Sequence, residues 1–173
     1  MMSRPNVSID LQIEIDYGQV YIYSVAPWAE DRHNDAMLRA LDDARQSRRR
    51  IGVADGMIDL VVPFRKSFDA PMRVEVWPEE PPSDDDKWDH VVDVDFDVHD
   101  GKLVFEPAGG FTPIQCEQPV PSGSYRARVS GRGYTEAAEG AEGLDSYRLR
   151  LWPRKGGHPA VLRKSWPGWE KIT

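Results

Sequence analysis

The 173-residue sequence predicts a mainly β fold, an antiparallel β-sandwich of about nine strands with one helix near residues 34–49. Three observations lead to it. Apolar and polar residues alternate with period two through most of the apolar stretches, the pattern of a strand that buries one face. Pro63, Pro71, Pro78, Pro107, Pro113, Pro121 and Pro153 bound those stretches, where a missing amide donor costs least. Only one segment repeats its apolar residues at helical spacing.

The elements follow in order. Val7, Ile9, Leu11, Ile13 and Ile15 alternate with Ser8, Asp10, Gln12 and Glu14, which makes a half-buried strand. Asp16-Tyr17-Gly18 supplies a turn, with residues 19–23 as the hairpin partner. Tyr21 and Tyr23 lie on the face opposite Val20 and Ile22, so one pair faces outward or into a further layer. Asn34 caps a helix carrying Met37, Leu38, Leu41 and Ala44, which ends in Arg45, Arg48, Arg49 and Arg50. Acid at its start and base at its end complement the helix dipole. The Arg run reads as a solvated helix end, with an anion or nucleic-acid patch as the sharper alternative; no aromatic residue is interleaved to support base stacking.

Further strands are expected at 57–62, 72–77, 90–98, 102–105, 114–116, 125–129 and 147–152. Asp100-Gly101 signals a two-residue hairpin that makes neighbours of 92–98 and 103–105. Gly131, Gly133, Gly140 and Gly143 mark a flexible connection. The chain reads as a single domain, residues 1–173, with a sandwich core at 5–153 and a basic tail at 154–173 that carries Trp166 and Trp169. The strand endings from Arg73 to Pro78 and from Arg148 to Pro153 are alike.

Charge narrows the function. No apolar run approaches the roughly 20 residues of a membrane-spanning helix, and the first ten residues lack the apolar stretch of a secretory signal, so a cytoplasmic protein is expected. The lone Cys116 fits a reducing compartment and, beside Ile114 in an alternating stretch, a buried structural thiol. A net charge of −7 disfavours direct binding of nucleic acid. Between Glu79 and Asp100 ten acids stand against Lys87 alone, so the negative field is local and the remainder is slightly positive.

No catalytic, metal or cofactor site is expected. Asp93, Asp95 and Asp97 invite a calcium reading, but alternate strand residues lie roughly 6.5–7 Å apart, too wide to converge on one ion. They read instead as an outward acidic ladder needing a cross-strand Arg partner, with Arg126 and Arg128 or Arg148 and Arg150 as candidates. His33, His90, His99 and His158 lack metal-ligand spacing and read as surface or loop residues. No phosphate-binding loop, nucleophile elbow or paired-cysteine motif is present. The connection 79–87 is too polar and Pro-rich to pack; it reads as a solvated loop or as a partner-binding surface. In the second reading Glu79, Glu80, Asp84, Asp85, Asp86 and Asp89 present phosphate-like charge to a basic protein such as a nuclease.

Four stretches taken in order resemble the bacterial competence protein J type of nuclease inhibitor. They are Tyr17-Gly18-Gln19-Val20-Tyr21, the segment from Gly52 to Ile58 containing Ala54-Asp55-Gly56, Pro121-Ser122-Gly123-Ser124-Tyr125 and Asp145-Ser146-Tyr147. Gly56 suits a positive φ, and Asp55 suits bonds to nearby amides. The resemblance implies a small inhibitor that binds a DNA-entry nuclease, with no catalytic residues to carry over. This chain departs in its longer acidic connection around Asp84 and in its basic, Trp-containing tail. The expected function is therefore a non-catalytic, protein-binding module such as an inhibitor or immunity-like partner of a basic nuclease. The alternative is a small-ligand or carbohydrate binder using exposed Trp28, Trp77 or Trp152, or an enzyme assembled from separate strands.

Overall fold

The computed structural model describes residues 3–64, 68–110, 112–140 and 143–172. Among these, eleven strands form two facing sheets. The six-stranded sheet runs in the order β1 (Val7–Ile15), β5 (Phe68–Val76), β10 (Ser146–Pro153), β9 (Gly123–Arg132), β6 (His90–Val98), β11 (Val161–Lys164). The five-stranded sheet runs β3 (Ile51–Ala54), β4 (Met57–Val61), β2 (Gln19–Tyr23), β7 (Val104–Pro107), β8 (Ile114–Gln115). Two helices, α1 (Ala36–Gln46) and α2 (Tyr134–Ala138), complete it; among the described residues no helix is long and apolar enough to cross a membrane.

Alternation decides which side chains meet between the sheets. Val92, Val94, Phe96 and Val98 of β6, Ala127 and Val129 of β9 and Leu149 and Leu151 of β10 face Val20 and Ile22 of β2, Ile58 and Leu60 of β4 and Phe105 of β7 in one buried cluster. Phe96 is 1% exposed, and truncating such a ring costs about 3–5 kcal/mol. Cys116 belongs to the same cluster, and burial pushes its thiol up to about 11. Neighbouring strands are antiparallel except β5 and β10, which run parallel with Arg73 opposite Arg148 and Glu75 opposite Arg150.

Two expected hairpins are corners instead. Tyr17 and Gly18, and likewise Asp100 and Gly101, have the paired positive φ of tight turns (53° and 71°, 53° and 67°). Yet β1 and β2 lie in different sheets and share only the bridge between Asp16 and Gln19, and β6 and β7 also part. The reason is competition for edges: β6 already pairs with β9 and β11, and β2 with β4 and β7. Asp55-Gly56 (φ 49° and 80°) does close a true hairpin, pairing Ala54 with Met57.

The helix presents a different face from the one its larger residues suggest. Ala36, Ala40 and Ala44 are buried and Leu38 is 67% exposed, because α1 lies so close on β3 that only methyl groups fit between. Gly52 on β3 is part of that approach: any β-carbon there would collide with the Ala40 carbonyl. The Asn34 side chain accepts the Ala36 amide at 2.8 Å, and Asp43 accepts the Val53 edge amide at 2.9 Å. Tyr21, Tyr23 and the half-buried Trp28 pack beneath this layer as edge-to-face rings.

Residues 154–173, expected as a tail outside the core, supply a strand and two core rings. β11 pairs with β6, and Trp166 and Trp169 are each 7% exposed. His90 holds them. Expected at the surface, it is 1% exposed, since the alternation that buries Val92 and Val94 also turns residue 90 inward. Its Nδ1 accepts from the Trp166 amide and Trp169 Nε1, each at 3.2 Å, while Nε2 donates to the Arg49 carbonyl. Burial, reinforced by the Arg50 charge against the pull of the Arg49 carbonyl, lowers its pKa and keeps the ring neutral. His33, His99 and His158 are exposed.

Three bulky residues adopt left-handed backbone: Tyr17 (φ 53°), Arg48 (φ 62°) and Arg50 (φ 61°). Each such residue costs roughly 1–2 kcal/mol relative to an ordinary conformation. Arg50 has a local return, its guanidinium lying 5.0 Å from the centre of the Trp169 ring.

The Gly52→Ala change is expected to lift α1 from β3 and to destabilise the fold by about 2–3 kcal/mol. Urea unfolding followed by Trp fluorescence measures this, and a midpoint equal to the parent's would refute the close-approach account.

Candidate functional site

The outer face of the six-stranded sheet concentrates the charge. Strand register sets its side chains in rows: Asp10, Arg73, Arg148 and Ser130; then Glu75, Arg150, Arg128 and Asp93; then Arg126 beside Asp95. The Asp strand and an Arg strand are neighbours, as alternation predicts. What the sequence did not show is that this face is covered: Arg128 is 1% exposed, Arg126, Arg148 and Arg150 are 7–8% exposed, and Asp93 is 5% exposed.

Each buried guanidinium has a carboxylate and most have an aromatic ring. Arg128 grips Asp93 through two bonds of 2.8 and 3.0 Å and lies 5.0 Å from the Trp152 ring centre. Arg150 bonds Glu75 at 3.0 Å and stacks on Trp77, whose Nε1 also donates to Glu75. Arg148 and Arg132 both lie over Trp88, at 4.6 and 4.5 Å. Planar guanidinium suits both tasks, forked bonding to carboxylate and stacking on rings. Trp77 and Trp152 are thus internal parts of a cation–ring ladder, which removes them as a platform for an outside ligand.

The cover consists of the connection between β5 and β6 and the segment 154–164. Contrary to the expectation that it is too polar to pack, the connection lies on the Arg rows, with Pro81 and Trp88 buried. Asp84 bonds Arg148 at 2.7 and 2.5 Å and sits 3.6 Å from Arg150. Burial raises its pKa, but the Arg148 bonds and the two cationic charges prevail and hold it at about 2. On the other side Arg126 donates to the His158 and Pro159 carbonyls, and Arg154 bonds Asp97 at 2.8 Å.

The six acids proposed for a partner therefore divide. Asp84 belongs to the ladder, Asp85 pairs with Arg163 at 3.1 Å, and Asp89 accepts the Tyr134 amide at 3.0 Å. Glu79, Glu80 and Asp86 are exposed; Glu80 lies 3.6 Å from Arg128 yet keeps its side chain 63% exposed. Between the connection and the outer face of β1 and β5 runs a cleft of about 740 Å³, bordered by Asp10, Arg73, Lys87, Trp88, Arg132 and Arg148. No group of three His, Cys, Asp or Glu among the described residues is arranged to hold a metal ion.

Residues that carry the family resemblance have structural tasks. Asp55 binds Arg39 and Asn34, the Tyr125 hydroxyl returns to the Pro121 carbonyl, and Asp145 is 1% exposed at the start of β10. Across the molecule, on the outer side of the five-stranded sheet, Asp59 is fully buried on β4 with no hydrogen-bond partner for either carboxylate oxygen among the described residues. Burial, against the weaker pull of Arg45, raises its pKa to about 8.

Two outcomes follow from these charges. Replacing Arg128 by Gln removes both short bonds to the Asp93 carboxylate, leaving it Arg163 at 3.7 Å, and is expected to cost about 3–5 kcal/mol, whereas Arg128→Met with Asp93→Leu should recover most of it, as judged by urea midpoints. Asp59 is protonated in the fold up to about pH 8 but ionises near pH 3.8 when unfolded, so the folded state holds the extra proton between those values. Its contribution is greatest below pH 3.8 and disappears as pH rises through 8. Thermal melts from pH 6 to 9 should show stability falling in the parent and a flatter profile for Asp59→Asn; equal slopes would refute the assignment.

No protein-family model matches the chain, and no curated protein matches its sequence. Solved structures do share its fold. The crystal structure of ComJ, inhibitor of the DNA degrading activity of NucA, from Bacillus subtilis, superposes with a TM-score of 0.56 at 14% identity, covering 89% of this chain and 100% of that one. The crocagin biosynthetic gene J structure superposes with a TM-score of 0.59 at 13% identity, covering 86% of this chain and 98% of that one. At such identities the likeness is one of fold.

Proposed function

We propose that this chain is a non-catalytic protein-binding module that restrains a basic nuclease, with the acidic connection between β5 and β6 as its contact. The observation that carries the reading is how the six acids divide. Asp84, Asp85 and Asp89 tie the connection to the sheet, and Glu79, Glu80 and Asp86 are left facing water on an anchored backbone. Acids held this way lose little freedom on binding, which favours a basic partner over a flexible loop of equal charge. The fold shared with ComJ supports an inhibitor, since that protein restrains the DNA-degrading activity of NucA. The cytoplasm suits a chain whose one thiol is buried.

Affinity capture from the source cytoplasm at about 50 and about 200 mM salt, followed by a DNA-cleavage assay of the eluate, tests the reading. A basic nuclease is expected in the low-salt eluate, inhibited by added parent protein. The combined change Glu79→Lys, Glu80→Lys and Asp86→Lys should weaken that inhibition at least about tenfold without lowering the melting temperature. Capture of no basic nuclease at either salt, or full inhibition by the triple variant, overturns it.

A further inference from the structure

The tip of the β1–β2 corner and the C-terminal end of α1 meet at a groove of about 220 Å³ remote from the acidic connection in the chain. Tyr17, Arg45 and Arg50 border it, with Leu41, Val62 and Ile172 as apolar walls. We infer that this groove binds an acidic, apolar peptide segment of a protein partner, with the bordering Arg45 and Arg50 meeting its carboxylates, Arg48, between them in the chain, drawing it in from outside the groove, and Tyr17 covering its apolar side chain. The inference goes beyond the nuclease-inhibitor reading and does not depend on it.

The first support is backbone strain without an internal return. Tight turns of this handedness favour Asn, Asp or Gly at the first central position, and the residue just past a helix end favours Gly. Gly18 obeys: a β-carbon there would lie 2.9 Å from the Phe64 carbonyl oxygen. Tyr17 and Arg48 do not obey, and the fold gains nothing from either side chain. The Tyr17 ring is 69% exposed, and Arg48 is exposed with no side-chain bond or ion pair among the described residues. Strained residues retained without a structural use concentrate at functional sites.

Unmatched charge is the second support. Of the four arginines at the end of α1, only Arg49 has a carboxylate within ion-pair distance among the described residues, Asp43 at 2.5 Å. Arg45, Arg48 and Arg50 have no ion pair among the described residues, on a chain whose net charge is −7 and whose buried sheet arginines, Arg126, Arg128, Arg148 and Arg150, are all paired. Structure also brings beside them the aromatic residue that sequence alone did not place there. The groove also takes in the Trp169 ring, but Arg50 already lies over that ring, and the overall negative charge opposes a polyanion approaching at long range.

The experiment uses the full chain and a fluorescein-labelled ten-residue peptide alternating Glu with Leu and Phe, read by fluorescence anisotropy. A single-stranded oligonucleotide of equal charge and a Lys-for-Glu peptide serve as comparisons. The acidic peptide is expected to bind more tightly than either. Tyr17→Asn and Arg48→Gly should each weaken it at least about fivefold while the melting temperature holds or rises by about 2 °C or more, since each change relieves strain. Gain in stability with loss of binding separates an interface role from a structural one. Absent binding of the acidic peptide, equal or tighter binding of the oligonucleotide, or unchanged affinity in both variants overturns the inference. The result is independent of Glu79, Glu80 and Asp86, so the Lys variant at those positions should bind the peptide no more weakly than the parent.

Discussion

Burying guanidinium groups on the outer face of the six-stranded sheet is the constraint on which the remaining arrangement depends. A cation removed from water without a partner costs several kcal/mol, so Arg128 and Arg150, adjacent in one row, require acids on both flanks and a lid above. Glu75 and Asp93 are the flanks, and Trp77, Trp88 and Trp152 with the connection and the segment 154–164 are the lid. The fold therefore has two interiors, an apolar one between the sheets and a polar one outside the larger sheet. Segments that would be loops in an ordinary sandwich are walls of the second.

That constraint also decides which charges reach water. The connection holds most of the local acid, but the ladder draws in Asp84, Arg163 takes Asp85 and the Tyr134 amide takes Asp89. What is presented outward is a remainder, fixed in position because its neighbours are bound. The same accounting applies to cations: Arg126, Arg128, Arg148 and Arg150 in the sheet are consumed, whereas at the end of α1 Arg49 alone finds a carboxylate among the described residues. Net charge alone describes neither surface.

Much of the sandwich was legible because alternation is a local property. Val94 and Phe96 are buried and Asp95 is paired outward as period two demands. Partition between sheets was not legible, since Asp100-Gly101 specifies a turn and says nothing of whether its strands stay together. The clue to the ladder was present as the likeness of Arg73-Val-Glu-Val-Trp77-Pro to Arg148-Leu-Arg-Leu-Trp152-Pro. Those are β5 and β10, side by side and parallel, so equivalent residues share rows. β3 was hidden by its shortness and by Gly52, β11 by its basic surroundings, and the inward turn of His90, at the start of the expected strand 90–98, by taking a polar ring for a surface residue. Of the candidate site, the acids were named from composition, but their division into bound and free depends on partners 45 or more residues away, which no local pattern encodes.

Long-range pairing of this kind is compatible with a fold shared at 14% identity. The residues through which this chain resembles the inhibitor family are those that shape turns and strand starts: Gly18, Gly56 and the Tyr125 hydroxyl on the Pro121 carbonyl. Such residues are constrained by backbone geometry whatever the partner. The arginines, their rings and the acids that cover them are constrained only by one another, so a set of substitutions that keeps each cation matched leaves the fold intact and changes what faces outward. On the proposed readings, binding specificity would reside in the charges that the polar interior leaves facing outward, Glu79, Glu80 and Asp86 on the connection and Arg45 and Arg50 at the groove beside Tyr17.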